Sequence, residues 1–379
     1  PLGHPEQEIG REQFLDCARQ MADRLAASAV IGEDDVCWVG LEPLAEANWD
    51  IAPIGMDLYS GVPGIALFLA YAGAILRDER YTALARRGLA GMLRHADLFS
   101  GDLPGIGAFE GWGGTLYTLT HMAALWDDPA LGTRAGEIVD ILAAYVDQDD
   151  AFGVQRGAAG AAAALLAYHR YRPSPRALEV ATACGDHLLD SAKILERGLG
   201  WTSSDASSPP LAGFAHGAAG IAWALLALAE ATGKNRYRVA ASQALAYERT
   251  LFVPQVGNWR DLRLDGSQNG RAAPYPVAWC NGAAGIGLSR LAALPLLSDP
   301  QLIDEIHIAV DTTLGAGFGH SHCLCHGDTG NLEFLLQAGA LLGDEALQLE
   351  SQRLAGHILH SIDLHDCVCG GPGGVELPG

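Results

Sequence analysis

The strongest constraint on this chain is an internal repeat. A Gly-x-x-Gly pair leads into an apolar run rich in alanine and leucine, and six copies begin at Gly61/Gly64, Gly111/Gly114, Gly157/Gly160, Gly217/Gly220, Gly282/Gly285 and Gly327/Gly330. Runs such as residues 65–74, 161–169 and 221–229 are apolar nearly all round, the mark of helices buried on every side. Between them, residues 81–95, 135–146, 175–189, 237–251, 301–314 and 345–360 mix charges with apolar residues at helical spacing, the mark of half-exposed helices. This alternation predicts an all-α fold, an α/α toroid or double-layered helical barrel, as a single domain over residues 1–379. The glycine pairs at the helix entrances allow neighbouring backbones to approach closely.

Composition removes several function classes. Hydrophobic residues make up 49% of the chain and charged residues 18%, enough apolar material for a packed core and too few charges for a disordered polymer. With 24 basic against 45 acidic side chains the net charge is -21, the wrong sign for a nucleic-acid backbone or an anionic membrane. The longest apolar stretch, residues 217–229, is too short to span a bilayer. Pro1-Leu2-Gly3-His4 reads as an expression remnant and no signal peptide is evident, so a cytoplasmic protein is expected. Eight cysteines are too sparse for a disulfide scaffold, which leaves packing, metal binding or reactivity as their uses.

If the repeat closes into a ring, the residues just before each glycine pair occupy equivalent stations. Immediately before the pairs stand Ser60, Glu110, Arg156, His216, Asn281 and His326, all polar beside strongly apolar helices. Packing alone does not require that, and Glu110, Arg156 and Asn281 are accordingly expected to meet a substrate. One position further back stand Tyr59, Phe109, Gln155, Ala215, Cys280 and Cys325. Two copies thus place a thiol at the same station, and one adds an adjacent imidazole.

Cys280, Cys325 and His326 therefore form a candidate site for one zinc ion. Thiolate and imidazole suit zinc, and three protein ligands leave a fourth position open, as in catalytic sites. A thiol entering that position would lose its proton and become a nucleophile at neutral pH. His216 is a candidate acid/base, and His322, close in sequence to the ligands, is a second. Cys17, Cys37 and Cys184 read as inert packing residues. An alternative four-thiolate site from Cys323, Cys325, Cys367 and Cys369 uses two cysteines outside the register of the repeat.

Trp279-Cys280-Asn281-Gly282 and Leu324-Cys325-His326-Gly327 resemble the two zinc-ligand motifs of lanthionine-synthetase C-like cyclases. The segment from Asp57 to Tyr71 and the ending Val375-Glu376-Leu377-Pro378-Gly379 are similar to the cyclase domain of class II bifunctional lanthipeptide synthetases. The resemblance, from about Trp49 onward, implies one zinc held by Cys280, Cys325 and His326. It also implies a peptide carrying dehydroalanine or dehydrobutyrine as substrate, whose cysteine adds to the alkene to give a lanthionine or methyllanthionine ring. His216 matches the family's active-site histidine. A dehydratase domain on the N-terminal side of the parent protein is implied as partner, and a last inner helix is expected beyond residue 379.

The chain departs from the family pattern in two places. Gly153 stands where the family usually carries an aspartate four residues before the third glycine pair, and Asp150, beside Asp149, is the candidate substitute. Asn281 stands where related synthetases often carry histidine. Two rival uses of the same fold are glutathione addition to dehydroamino acids and non-catalytic peptide binding. Asp147-Gln148-Asp149-Asp150 also spells the Asp-x-Asp-Asp signature of terpene cyclases, but that reading leaves the Cys/Cys/His group without a role.

Overall fold

The computed structural model describes residues 10–45, 48–98, 105–202, 209–263, 275–370 and 376–378. Pro1-Leu2-Gly3-His4, the start and end of the Val375–Gly379 motif and the Cys369 side chain lie outside the described residues. The regular structure of the described chain is predominantly helical, with short antiparallel two-stranded ribbons as its sheet content.

It forms two compact units. The first comprises residues 11–149 and 155–187, and the second residues 150–154 and 188–379. The first holds α1 (Arg11–Ser28), α2 (Val62–Leu76), α3 (Glu79–Leu98), α4 (Trp112–Leu125), α5 (Pro129–Tyr145), α6 (Ala158–Tyr171) and most of α7 (Pro175–Ser191). Here α2 packs on α3 and α4 on α5, while α4 also touches both α2 and α6. The second unit repeats the plan with α8 (Ala218–Thr232), α9 (Asn235–Arg249), α10 (Ala283–Ala293), α11 (Gln301–Ala316), α12 (Asp328–Leu342) and α13 (Glu345–His365). The pairs are α8 with α9, α10 with α11 and α12 with α13, and α10 lies against both α8 and α12.

Each first member of a pair is the helix that follows a glycine pair, and its small residues pack on more than one neighbour. In α8 ten residues from Ala218 to Ala229 are buried. Its partner α9 buries a stripe, Tyr237, Ala240, Ala241, Ala244 and Leu245, spaced as one face of an amphipathic helix requires. In the second unit Trp259, Ile286, Ile306, Phe334 and Leu335 join one apolar core.

The first glycine of every pair is the N-cap of its helix: Gly61, Gly111, Gly157, Gly217, Gly282 and Gly327. The helices therefore begin before the second glycine, several residues earlier than the apolar runs imply. At Gly282 the backbone has φ +93°, a left-handed conformation that favours glycine, and a Cβ would collide with the Pro276 carbonyl. At Gly285 a Cβ would run into the Trp279 carbonyl. The pair thus folds the preceding loop tightly over the first helical turn. The outer helix α5 likewise starts earlier than its apolar pattern, because Asp128 accepts from the Ala130 and Leu131 amides and Pro129 fills the first turn.

Candidate metal centre

The loops before the glycine pairs are joined by main-chain hydrogen bonds. Within the second unit, Ala215 N–H donates to the Cys280 carbonyl and Cys280 N–H to the Cys325 carbonyl, both at 3.0 Å. Within the first, Phe109 N–H donates to the Gln155 carbonyl at 3.1 Å. These are residues of the same station in consecutive copies, so the register of the sequence becomes physical adjacency. The consequence for the second unit is a row: Ala215, Cys280, Cys325.

The ligand atoms of Cys280, Cys325 and His326 all lie within 4.8 Å of one another. Both cysteines are half-buried and His326 is exposed, so the group opens to solvent. Zinc bonds sulfur at about 2.3 Å and imidazole nitrogen at about 2.0–2.1 Å, so three ligands this close fit around one ion without rearranging the backbone. The Cys325 thiol is hydrogen-bonded to Cys280, and with burial this holds the Cys280 thiol well above its ordinary pKa. Replacing the shared proton with a dication would relieve that cost.

The loop that carries Cys325 and His326 is clamped at both ends. The Asp328 carboxylate accepts from the Gly319 amide at 3.1 Å, and Asp328 N–H donates to the Ser321 carbonyl at 2.7 Å. Thr329 Oγ1 donates to the His322 carbonyl at 2.7 Å. The His322 ring is buried, with Nδ1 accepting from Val368 N–H and Nε2 within 3.0 Å of Ser361 Oγ. Nε2 therefore carries the proton and donates to Ser361, and both ring nitrogens of this acid/base candidate are engaged. Cys323 approaches His326 and Ser321. Burial pushes its thiol up, but hydrogen bonds to those two residues outweigh this and hold it below the ordinary value.

His216, half-buried, follows Ala215 in the row and is thus carried to the same side of the second unit as the sulfurs. The loop before it is pinned from behind by Glu248, fully buried on α9, whose Oε1 accepts from Gly213 N–H at 2.8 Å. Gly153 packs against this loop, where a Cβ would stand 2.7 Å from the Ala215 carbonyl and 2.9 Å from His216 Cα. No larger residue fits at 153 without a backbone shift. Of the neighbouring carboxylates, Asp149 accepts from the Ala158 amide at 2.8 Å and so caps the start of α6, whereas Asp150 is exposed. Glu110 and Arg156 form an ion pair at 3.4 Å within the first unit.

Asn281 is buried directly after Cys280, and its amide satisfies both neighbours only when its nitrogen faces the Cys280 carbonyl, at 3.1 Å, and its oxygen faces Arg263, the orientation assigned to it. Arg263 is a residue that the repeat could not single out, because it lies between copies. Burial alone would lower its pKa, but its pairing with Asp261 and the adjacent sulfurs of Cys280 and Cys325 hold it above the ordinary value.

A family model described as lanthionine synthetase C-like protein matches residues 52–379. The chain belongs to the lanthionine synthetase C-like family. No curated protein matches it in sequence. Among solved structures, this lanthionine synthetase C-like chain is similar to one titled Nisin cyclase, with a TM-score of 0.65 at 17% identity, over 92% of this chain and 87% of that one. An unsaturated glucuronyl hydrolase from Bacillus sp. GL1 is similar with a TM-score of 0.52 at 14% identity, over 89% of this chain and 97% of that one. Likeness at such identity is one of fold, and it bears out the all-α, α/α toroid class expected from the repeat.

Proposed function

We propose that this chain is a zinc-dependent lanthipeptide cyclase, joining cysteine thiols of a dehydrated precursor peptide to its dehydroalanine or dehydrobutyrine residues as thioether rings. The observation that carries the reading is the Cys280, Cys325 and His326 group, three ligand atoms within 4.8 Å in a member of this family. A zinc ion held there would lower the pKa of a substrate thiol that takes the open position. His216 is the residue for moving a proton between that thiol and the α-carbon of the acceptor. Asn281 fixes the Cys280 carbonyl, and His322, with both nitrogens engaged, holds the ligand loop. Glu110 and Arg156 are proposed to meet the peptide. The dehydrated substrate would be made in the cytoplasm by a dehydratase domain on the N-terminal side of the parent protein, and no described helix is long and apolar enough to cross a membrane.

The test combines metal analysis with mass and thiol counting on a dehydrated precursor. Wild type is expected to carry about one zinc and to consume free thiols with no change in peptide mass. Glutathione addition would instead raise the mass, and simple binding would change neither. Cys280→Ala and Cys325→Ala are expected to lose both zinc and ring formation. His216→Ala should keep zinc and slow turnover by about 10²- to 10⁴-fold, the usual worth of a general acid/base. Near-stoichiometric zinc in the Cys280→Ala protein would overturn the assignment.

A further inference from the structure

Arg263 is the cation nearest in bonding to the metal group that the proposed mechanism has not used. Its Nε and Nη2 hold the Asp261 carboxylate at 3.1 and 2.7 Å, and its backbone N–H donates to Asp261 Oδ1 at 3.0 Å. Asp261 is buried, its side chain 5% exposed, whereas the Arg263 side chain is 41% exposed. Nη2 also donates to the Asn281 amide oxygen, and that amide in turn donates to the Cys280 carbonyl. One edge of the guanidinium is thereby fixed by two buried groups, and among the described residues Nη1 has no partner. A buried carboxylate and a buried amide spent on orienting a half-exposed arginine are more than an exposed ion pair needs for stability.

We infer that Arg263 is a catalytic residue that receives the negative charge on the substrate's amide oxygen when the thiol adds. This rests on the cyclase reading above. In that addition the sulfur lone pair forms the C–S bond to the β-carbon, and the alkene π pair shifts toward the carbonyl, whose own π pair moves onto oxygen. The resulting enolate then collapses as the α-carbon takes up one proton, so the thiol proton is the only atom transferred besides sulfur. Charge on the oxygen exists only between those two events. A pre-oriented guanidinium there stabilises the transition state more than the neutral ground state, the condition for raising kcat rather than affinity. The planar fork matters, because an ammonium cannot hold Asp261 and Asn281 and also present a further donor.

The experiment compares zinc-loaded wild type, Arg263→Gln, Arg263→Lys and Cys280→Ala on a synthetic peptide with one dehydroalanine and one cysteine. Zinc content is measured by metal analysis. Affinity for an unreactive analogue, with alanine in place of dehydroalanine, is read from tryptophan emission, Trp279 adjoining Cys280. Arg263→Gln is expected to keep its zinc and bind the analogue within about twofold, while kcat falls by about 10²-fold, as on losing one oxyanion donor. Arg263→Lys should regain only part of the loss. Wild-type kcat in Arg263→Gln, or a loss explained by missing zinc or weaker analogue binding, overturns the inference while the cyclase reading stands. A wild type no faster than Cys280→Ala overturns the cyclase reading, and this inference with it.

Discussion

A single main-chain hydrogen bond, Cys280 N–H to the Cys325 carbonyl at 3.0 Å, ties two candidate sulfur ligands that lie in different copies of the repeat. That is why Cys280, Cys325 and His326 were legible from sequence: equal distance from a glycine pair means the same place in the fold. Arg263 and Asp261 were not, because no register assigns a place to residues in the loop between copies. The fixed ring of His322 was hidden for a related reason, since its partners Ser361 and Val368 come from the far end of the chain. Gly153 could be seen as a departure from the family pattern, but its contact with the His216 loop is visible only in three dimensions. The glycines themselves are testable. In Gly285→Ala the new methyl meets the Trp279 carbonyl, which is backbone and cannot swing aside. The substitution should cost about 2 kcal/mol or more, the range of strained core changes, and lower zinc occupancy together with the urea midpoint. A variant as stable as wild type would mean that the loop over α10 yields easily.

At the scale of elements, alternation of apolar and amphipathic segments gave the helices and their pairing, while their ends depended on signals outside that pattern, such as Asp128-Pro129 ahead of α5. What periodicity cannot show is a charge buried between helices. Arg290 on α10 is fully buried and bonds Glu248 of α9 at 2.7 Å and Glu305 of α11 at 2.6 Å. Glu305 is shared with Arg249, which also reaches Asp299 at 2.8 Å. Read in the sequence, Arg290 is one charge in an alanine-rich helix and Glu248 is one of many on an outer helix. Together they fasten three helices and, through Gly213, the loop that carries His216. Glu248→Ala strands part of a buried guanidinium and frees that loop, so a loss of about 3–5 kcal/mol is expected from urea unfolding. Replacing Glu248 and Arg290 together, as in Glu248→Leu with Arg290→Met, should cost less than Glu248→Ala alone, since the buried guanidinium is gone and Glu305 keeps its pairing with Arg249. If the double variant is the less stable of the two, the network stabilises by more than mutual neutralisation.

For the molecule as a whole, acid should act through two separable routes. The first is the imidazoles: burial lowers the pKa of His121, which bonds Tyr71 at 2.7 Å, and of His322, below the ordinary 6.5. Unfolding lets both bind protons more readily, so the stability they contribute is fully present above pH 6.5 and is lost as pH falls below that value toward their lower folded pKa. The second is the metal, because two thiolates and a neutral imidazole hold zinc only while deprotonated, and zinc stabilises the folded state that binds it. The routes part on chelation. Between pH 7.5 and 5.5 the metal-free protein should show a shallow slope, the histidine loss partly offset by the buried carboxyls of Glu248 and Asp328, whose pKa burial raises, and His121→Gln should flatten it further. The zinc-loaded protein should start from a higher melting temperature and fall more steeply, meeting the metal-free curve where the ion is released. Identical curves with and without chelator across that range would mean that Cys280, Cys325 and His326, though adjacent, hold no ion that the fold depends on.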